Sequence, residues 1–240
     1  DIRNGNYTSQ GEPMILYRFN ELITYDGTIF YDSQAGSNHA SCSSPTCPIL
    51  TINGAGFIGR AVTFDGVDDY LTQPGNFTAA ETTVTLYAKP TSYPSAGNIA
   101  YLYDTQAVGS GTTFTFDLFM DENGKLTVNY GAGSRTYNTV VPLNAWNKIE
   151  VIYVRFFSGT WRYQIQLKVN GVLDAVVADV CTNPGSACVS TARVGNGRIG
   201  NNLAGTAPFQ GLLDELNLHI SKLSFDPPLV NLGYDNLAND

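Results

Sequence analysis

Basic charge is scarce in this chain. Thirteen Lys and Arg stand against twenty-one Asp and Glu over 240 residues, for a net charge of −8. The basic residues are scattered and form no stripe, which argues against nucleic acid as a partner. Anionic membrane surfaces are disfavoured on the same ground. No run approaches the ~20 apolar residues that a membrane-spanning helix needs, so membrane insertion is not expected. No leader of the secretory kind is present and residue 1 is Asp, so the numbered chain is expected to be a mature or excised form. No long segment keeps apolar residues at helical spacing. Only two histidines exist, His39 and His219, and neither cysteine pair is a CxxC, so a zinc site is not expected.

What is abundant points the other way. Gly, Thr, Ser, Asn and Tyr are abundant; Thr, Tyr, Phe and Val favour pleated half-buried strands, and Gly and Asn serve the turns between them. The four cysteines fall in two close pairs, Cys42 with Cys47 and Cys181 with Cys188. Short disulfide loops fit this spacing and imply an oxidising, extracytoplasmic compartment. Asn6-Tyr-Thr and Asn76-Phe-Thr match the glycosylation pattern.

Strand periodicity runs through the chain. Residues 1–13 are polar and read as an arm. Met14–Phe19 is the first convincing strand, and Thr28–Tyr31 a short second one that enters the turn Asp32-Ser-Gln-Ala-Gly-Ser-Asn38. Gly59–Leu71 (GRAVTFDGVDDYL) reads as strand, turn, strand, with Asp65, Asp68 and Asp69 crowded on the turn. Carboxylates this close either cap backbone N–H groups, face water or share a cation; turn capping and calcium are both open readings. Val84, Leu86 and Ala88 share one face of another strand, and Phe116, Leu118 and Met120 one face of the next. Trp146–Phe157 is apolar on both parities, as a central strand covered on both faces should be. Trp161–Val180 alternates cleanly about Asn170-Gly171, a two-residue hairpin signal. Ala192–Ile199 reads as one short strand and Phe209–Ile220 as the last long one. On that last strand Asp214 falls on the inward parity of Leu216 and Leu218, and a carboxylate aimed at an apolar core is costly unless hydrogen-bonded, neutralised or metal-bound. About a dozen such strands predict an all-β, two-sheet antiparallel sandwich of jelly-roll type over residues 14–223, with arms at 1–13 and 224–240.

Four segments, in order, carry a family likeness: ILYRFNE followed by YDSQAGSNHA, then GRAVTFDGVDDYL, then WNKIEVIYV with QIQLKVNGVL, then FQGLLDELNLHI. Together they resemble the laminin-G-like form of the concanavalin A-like jelly roll across residues 14–223. The resemblance implies a secreted or cell-surface module for adhesion or recognition, with a glycan or protein ligand, and one structural Ca²⁺. Asp32, Asn38, Asp65 and Asp214 are the positions it suggests for that ion, since calcium takes hard oxygen ligands.

Catalysis is not expected. Glycoside hydrolysis needs two carboxylates flanking the scissile bond, and jelly-roll hydrolases carry Glu-x-Asp-x-x-Glu or the same with one extra residue on one strand. No such triplet occurs; Asp121-Glu122 and Asp214-Glu215 are adjacent pairs, and Glu150 stands alone. Among the aromatics, Trp161, Tyr101, Tyr103, Tyr130 and Tyr137 are candidate ligand platforms. The other reading is a self-assembling subunit of an extracellular filament or surface layer. Residues 224–240 carry Phe225, Leu229, Val230, Leu232 and Tyr234, too apolar for a free tail, and such an arm can add as a strand to a neighbour's sheet edge.

Overall fold

A computed structural model describes residues 15–20, 28–34, 38–74, 77–79, 81–105, 116–130, 133–157, 161–180, 192–194 and 197–219. The arms, the Cys181–Cys188 pair, Asn6 and Asn76 lie outside the described residues.

Eighteen strands are described: β1 (Ile15–Tyr17), β2 (Ile29–Phe30), β3 (Ala40–Ser41), β4 (Ile49–Leu50), β5 (Val62–Asp65), β6 (Leu71–Gln73), β7 (Phe77–Ala79), β8 (Glu81–Pro90), β9 (Ile99–Thr105), β10 (Phe116–Asp121), β11 (Lys125–Tyr130), β12 (Gly133–Val140), β13 (Asn147–Phe157), β14 (Trp161–Val169), β15 (Val172–Val180), β16 (Ala192–Val194), β17 (Gly197–Ile199) and β18 (Gln210–His219). The first sheet runs β15-β14-β13-β8-β18-β5-β4, with β1 also on β18. The second runs β12-β11-β10-β9-β17-β6-β3-β2. Both are antiparallel, and a single apolar core lies between them.

The core follows from alternation. Val84, Leu86 and Ala88 of β8, Ile149 and Val151 of β13, Ile165 and Leu167 of β14 all turn inward from the first sheet. Leu118, Met120, Leu126 and Val128 meet them from the second. At roughly 25 cal/mol per Å², burial of such side chains is the main term holding the two layers together.

The hairpin predicted at Asn170-Gly171 is present, joining β14 to β15 in register Val169↔Val172. Both turn residues have positive φ, 54° and 79°, which the primed two-residue turn requires. Asn170 also ties the turn to β13: its Oδ1 accepts the Lys148 N–H at 2.9 Å and its amide donates to Asn147 Oδ1 at 3.1 Å.

GRAVTFDGVDDYL is strand, turn, strand, but not a hairpin. β5 belongs to the first sheet and β6 to the second, so the Asp65–Asp69 turn carries the chain from one layer to the other. Gly66 sits there at φ 80°, where an added Cβ would meet the Gln210 side chain. Ala192–Ile199, in contrast to its expected reading as one strand, is divided. β16 pairs with β7 in a two-stranded ribbon, and β17 enters the second sheet between β9 and β6.

One further correction concerns β18. Leu213 pairs with Ala88 and Asp214 with Tyr87, yet Asn217 pairs with Thr85, so one extra residue is accommodated between them. Glu215 takes that bulge with φ 47°. The bulge reverses the parity of the strand: Leu213, Leu216 and Leu218 face the core, while Asp214 is turned to the outer face beside Tyr87.

Candidate functional site on the outer face of the second sheet

The residues proposed as metal ligands do not gather at one point. Asp32 bridges to Tyr17 beside β1. Its Oδ1 accepts the N–H groups of Leu16 and Gln34, both at 3.0 Å, and its own N–H donates to His39 Nδ1 at 3.1 Å. The Tyr17 hydroxyl donates to the Asn38 carbonyl, so Asp32 and Asn38 are brought to the same tyrosine. Burial, with the nearby Tyr103 and Asp32, pushes the Tyr17 phenol far above its usual range. The second carboxylate oxygen of Asp32 is buried with no hydrogen-bond partner among the described residues. A buried carboxylate oxygen of this kind is the hard ligand type that calcium takes.

Asp65 and Asp214 have other partners. Asp65 Oδ1 accepts Val67 N–H at 2.8 Å, and Asp69 Oδ2 accepts Asp65 N–H at 2.9 Å. Ligand oxygens of Asp65, Asp68 and Asp69 come within 4.8 Å of one another. Burial, then the neighbouring Asp65 and Asp68 charges, raises the Asp69 carboxyl against the lowering effect of its backbone hydrogen bond. The Asp65 and Asp69 carboxylates thus cap backbone N–H groups of this turn. Asp214 clamps a loop: its Oδ2 accepts Ile58 N–H at 3.0 Å and its Oδ1 accepts Glu215 N–H at 2.8 Å. Phe57 of that loop stacks on Tyr87 at 3.7 Å between ring centroids. Asp214 is therefore covered by residues 53–60 and not by the sandwich interior.

Cys42 and Cys47 form a disulfide around a turn in which Thr46 donates to the Ser43 carbonyl. Two of the candidate aromatic platforms are structural. Tyr103 is buried in the core with its hydroxyl on Gln73 Oε1 at 2.7 Å, and Tyr137 is buried likewise. The side chains of Tyr130 and Trp161 lie outside the described residues. Tyr101 faces outward.

Around Tyr101 the second sheet presents a mixed polar and aromatic face. β10 pairs with β9, placing Phe119 opposite Tyr101 and Asp117 opposite Asp104. The Tyr101 and Phe119 rings are 5.0 Å apart. On the next strand outward Asn129 stands opposite Asp117, its amide reaching Asp117 Oδ2 at 3.5 Å. On the other side Arg198 of β17 stands opposite Asp104. Its guanidinium lies 3.9 Å above the Tyr70 ring and donates to the Asn202 carbonyl at 3.0 Å.

The two aspartates are unlike in their bonds. Asp104 Oδ2 accepts Leu203 N–H at 2.7 Å, and Asp117 Oδ1 accepts Thr105 N–H at 3.3 Å. Asp104 stands opposite Asp117 on the neighbouring strand, and its carboxyl disfavours charge on Asp117. Burial first, and then Asp104, pushes the Asp117 carboxyl up to about 7. Burial and the two aspartates push the Tyr101 hydroxyl up to about 12. No spacing within a single strand marks this group. Asp117 and Phe119 do share a parity on β10, but Asp104 is joined to them only across strands, past a register shift between Leu118 and Phe119.

An open cleft of about 280 Å³ also occurs at one end of the sandwich, lined by Ser92, Tyr93, Asn98 and Gln210 among others. Its polar groups largely bond each other, as Asn98 does with Ser95, or the backbone, as Tyr93 does with the Val141 carbonyl.

No curated protein matches the sequence closely enough to count as a relative. Among solved structures, domain 4 of an extracellular arabinanase from Geobacillus stearothermophilus, in complex with arabinotriose, superposes with a TM-score of 0.55 at 16% identity, covering 90% of this chain and 95% of that one. Trypanosoma rangeli sialidase matches with a TM-score of 0.56 at 13% identity over 88% of this chain, but this chain spans only 31% of the sialidase. The receptor-binding domain of botulinum neurotoxin type G gives 0.51 at 8% identity, over 89% of this chain and 49% of that one. At these identities the likeness is one of fold. A family model, Laminin_G_3, matches residues 65–226, more than half of the chain. With two antiparallel sheets enclosing one core and this family pattern running through most of them, the chain belongs to the concanavalin A-like lectin/glucanases superfamily in its laminin-G-like form.

Proposed function

We propose that the chain is an extracellular recognition module that binds a neutral oligosaccharide on the outer face of the second sheet and does not cleave it. The observation that carries this reading is the Tyr101–Phe119 pair set beside the Asp104–Asp117 couple and the Asn129 amide. Sugar rings present an apolar face ringed by hydroxyls, so an aromatic platform with adjacent carboxylate and amide oxygens meets both halves of that chemistry. The carboxylates disfavour sialylated or other acidic glycans by like charge. Solved structures of similar fold include an arabinanase domain holding arabinotriose, which supports a glycan over a protein ligand. The Cys42–Cys47 disulfide supports an oxidising compartment, and among the described residues no helix is long and apolar enough to cross a membrane.

The carboxylate arrangement supports binding without hydrolysis. Retaining and inverting glycosidases separate their two carboxyl groups by ~5–5.5 Å and ~6.5–9.5 Å respectively. Asp104 and Asp117 stand directly opposite each other on neighbouring strands and each is tied to a backbone N–H, which supports binding over a pair that straddles a glycosidic bond. A structural Ca²⁺ held by Asp32 and Asn38 completes the reading, on the strength of the orphaned Asp32 oxygen.

The test is an array of neutral and sialylated oligosaccharides probed with the wild-type chain and with Tyr101→Ala and Phe119→Ala. Binding to a neutral class that both variants lose supports the proposal. Silence across the array, or binding indifferent to both substitutions, overturns it. Release of reducing sugar from the bound glycan would overturn the non-catalytic part.

A further inference from the structure

The cleft at the end of the sandwich has the make-up of a site for one uncharged ring. Eleven residues line it, and none is Asp, Glu, Lys, Arg or His. Its volume of about 280 Å³ lies at the foot of the range for ligand pockets, which gives room for one sugar-sized molecule and not for a chain. Pro94, Ile99 and Pro208 give it apolar walls. Two more of its side chains are held in place by glycines. An added Cβ on Gly66 would lie 2.7 Å from Gln210 Cβ, and one on Gly124 would lie 2.5 Å from the Tyr93 ring. Both side chains are thus seated against bare backbone, and the Tyr93 hydroxyl is fixed by the Val141 carbonyl at 2.8 Å. The hydrogen bonds inside the cleft use only part of what its side chains offer. Gln210 Oε1 accepts the Ser92 hydroxyl, which leaves the Gln210 Nε2 donors with no partner among the described residues. Asn98 donates from Nδ2 to Ser95 Oγ at 2.7 Å, which leaves its Oδ1 as an acceptor. Spare donors and acceptors beside apolar walls match a neutral sugar ring, whose hydroxyls both give and take hydrogen bonds.

We propose that this cleft holds the terminal ring of a neutral oligosaccharide whose following rings lie on the Tyr101–Phe119 platform, so that the protein reads the end of a glycan chain. The second half rests on the platform reading above; the first stands on the cleft itself. β9 joins the two places. Ile99 lines the cleft and shares the outward parity of Tyr101, with Asp121 and Phe119 as their respective partners on β10. The two positions are about 7 Å apart along the strand, a step that one or two linked rings cross. The loop before β18 ties the same places together. The Tyr101 N–H donates to the Ala207 carbonyl at 3.0 Å, and Thr206 and Pro208 on either side of Ala207 line the cleft. Much of the remaining lining comes from residues 92–98, the turn that leads into β9, and the volume leaves no room for a second ring. A chain entering from the platform therefore ends there. No cation lines the cleft to pair with the carboxylate of an acidic sugar, which keeps the preference neutral.

NMR on the intact chain reads the cleft separately from the platform. Glucose, galactose, mannose and arabinose are each added at tens of millimolar, since one ring in one small site binds weakly. At least one of them should shift the Gln210 side-chain amide and the Asn98 and Ile99 backbone amides saturably. Gln210→Ala should weaken that saturation about fivefold, the loss expected of one hydrogen bond. Asn98→Ala should do the same, and it serves alone if Gln210→Ala disturbs β18. No cleft shift with any of the four sugars overturns the proposal, and so does a shift that both variants leave unchanged. Di- to tetrasaccharides of the responding sugar then read the link to the platform. Affinity should rise about tenfold with length, because joined rings on adjacent subsites gain by effective concentration, and Tyr101→Ala should remove that gain. Cleft shifts with no gain from length keep the cleft and overturn the platform. Binding that Tyr101→Ala abolishes, with no shift in the cleft, keeps the platform and overturns the cleft.

Discussion

Asp117 and Asp104 face each other across β10 and β9, and the Asp104 carboxyl disfavours charge on Asp117. Burial and the second aspartate hold the Asp117 carboxyl at about 7 in the folded protein, against about 3.9 for an unfolded aspartate. The folded state therefore binds more protons than the unfolded state between those values. Stability from this pair is fully present below about pH 4 and is lost as pH rises through about 7. Melting temperature measured from pH 4 to 9 should carry a decline centred between pH 5 and 7.5. Asp117→Asn, which keeps an acceptor and supplies a permanent donor, should flatten it. A decline of the same size in the variant would assign the titration elsewhere.

Tyr101 and Phe119 are the platform of the proposed site, and each is only partly buried. Truncating either to Ala removes contact area from the face without opening the core. Affinity for the bound neutral glycan should fall about tenfold, ~1.4 kcal/mol, with the melting temperature little changed. A matched loss of stability would mean that the pair is structural.

Much of this molecule is legible in its residue pattern. β13, β14 and β15 follow from period-two alternation about Asn170-Gly171, because each local preference there agrees with the sheet. The face of Asp214 does not follow, because alternation counts residues and a bulge adds one. Glu215 takes positive φ with no Gly or Asn to announce it. The divided stretch Ala192–Ile199 fails for another reason. Which sheet accepts a short strand is decided by partners distant in sequence, such as Thr105 and Gln73 for Gly197. The Asp104–Asp117 couple is the same kind of fact. Each residue has an ordinary neighbourhood, and their chemistry arises only when two strands are laid side by side.

Calcium is tested at Asp32. Its Oδ1 holds Leu16 and Gln34 by their N–H groups, and its other oxygen has no partner among the described residues. Asn in its place keeps the first role and loses the charge. Millimolar Ca²⁺ should raise the melting temperature of the wild-type chain and EDTA should reverse the rise, since a ligand that binds only the folded state stabilises it by mass action. Asp32→Asn should abolish the response while folding normally. A chelator-indifferent wild type would dismiss the ion, and a response kept by the variant would move it to another site, with the Asp65–Asp69 turn next to be tested.

Asp214 fastens the 53–60 loop to the outer face of the first sheet. Two backbone N–H groups, those of Ile58 and Glu215, depend on its two oxygens. Removing the carboxylate strands both, at about 1–3 kcal/mol for each buried group left unpaired. Asp214→Ala should therefore cost about 2–6 kcal/mol and loosen the Phe57–Tyr87 stack, seen as faster hydrogen exchange at Ile58. Burial, more than the Glu215 charge, pushes the Asp214 carboxyl up to about 6, against the pull of its backbone hydrogen bonds. Asp214→Asn separates charge from hydrogen bonding: one acceptor oxygen remains for two donors, so its cost should fall between wild type and Ala. If Asn and Ala were equally costly, the charge itself would be holding the loop. If neither mattered, the loop would be fixed by Asn20, whose Oδ1 accepts the Arg60 N–H at 2.8 Å.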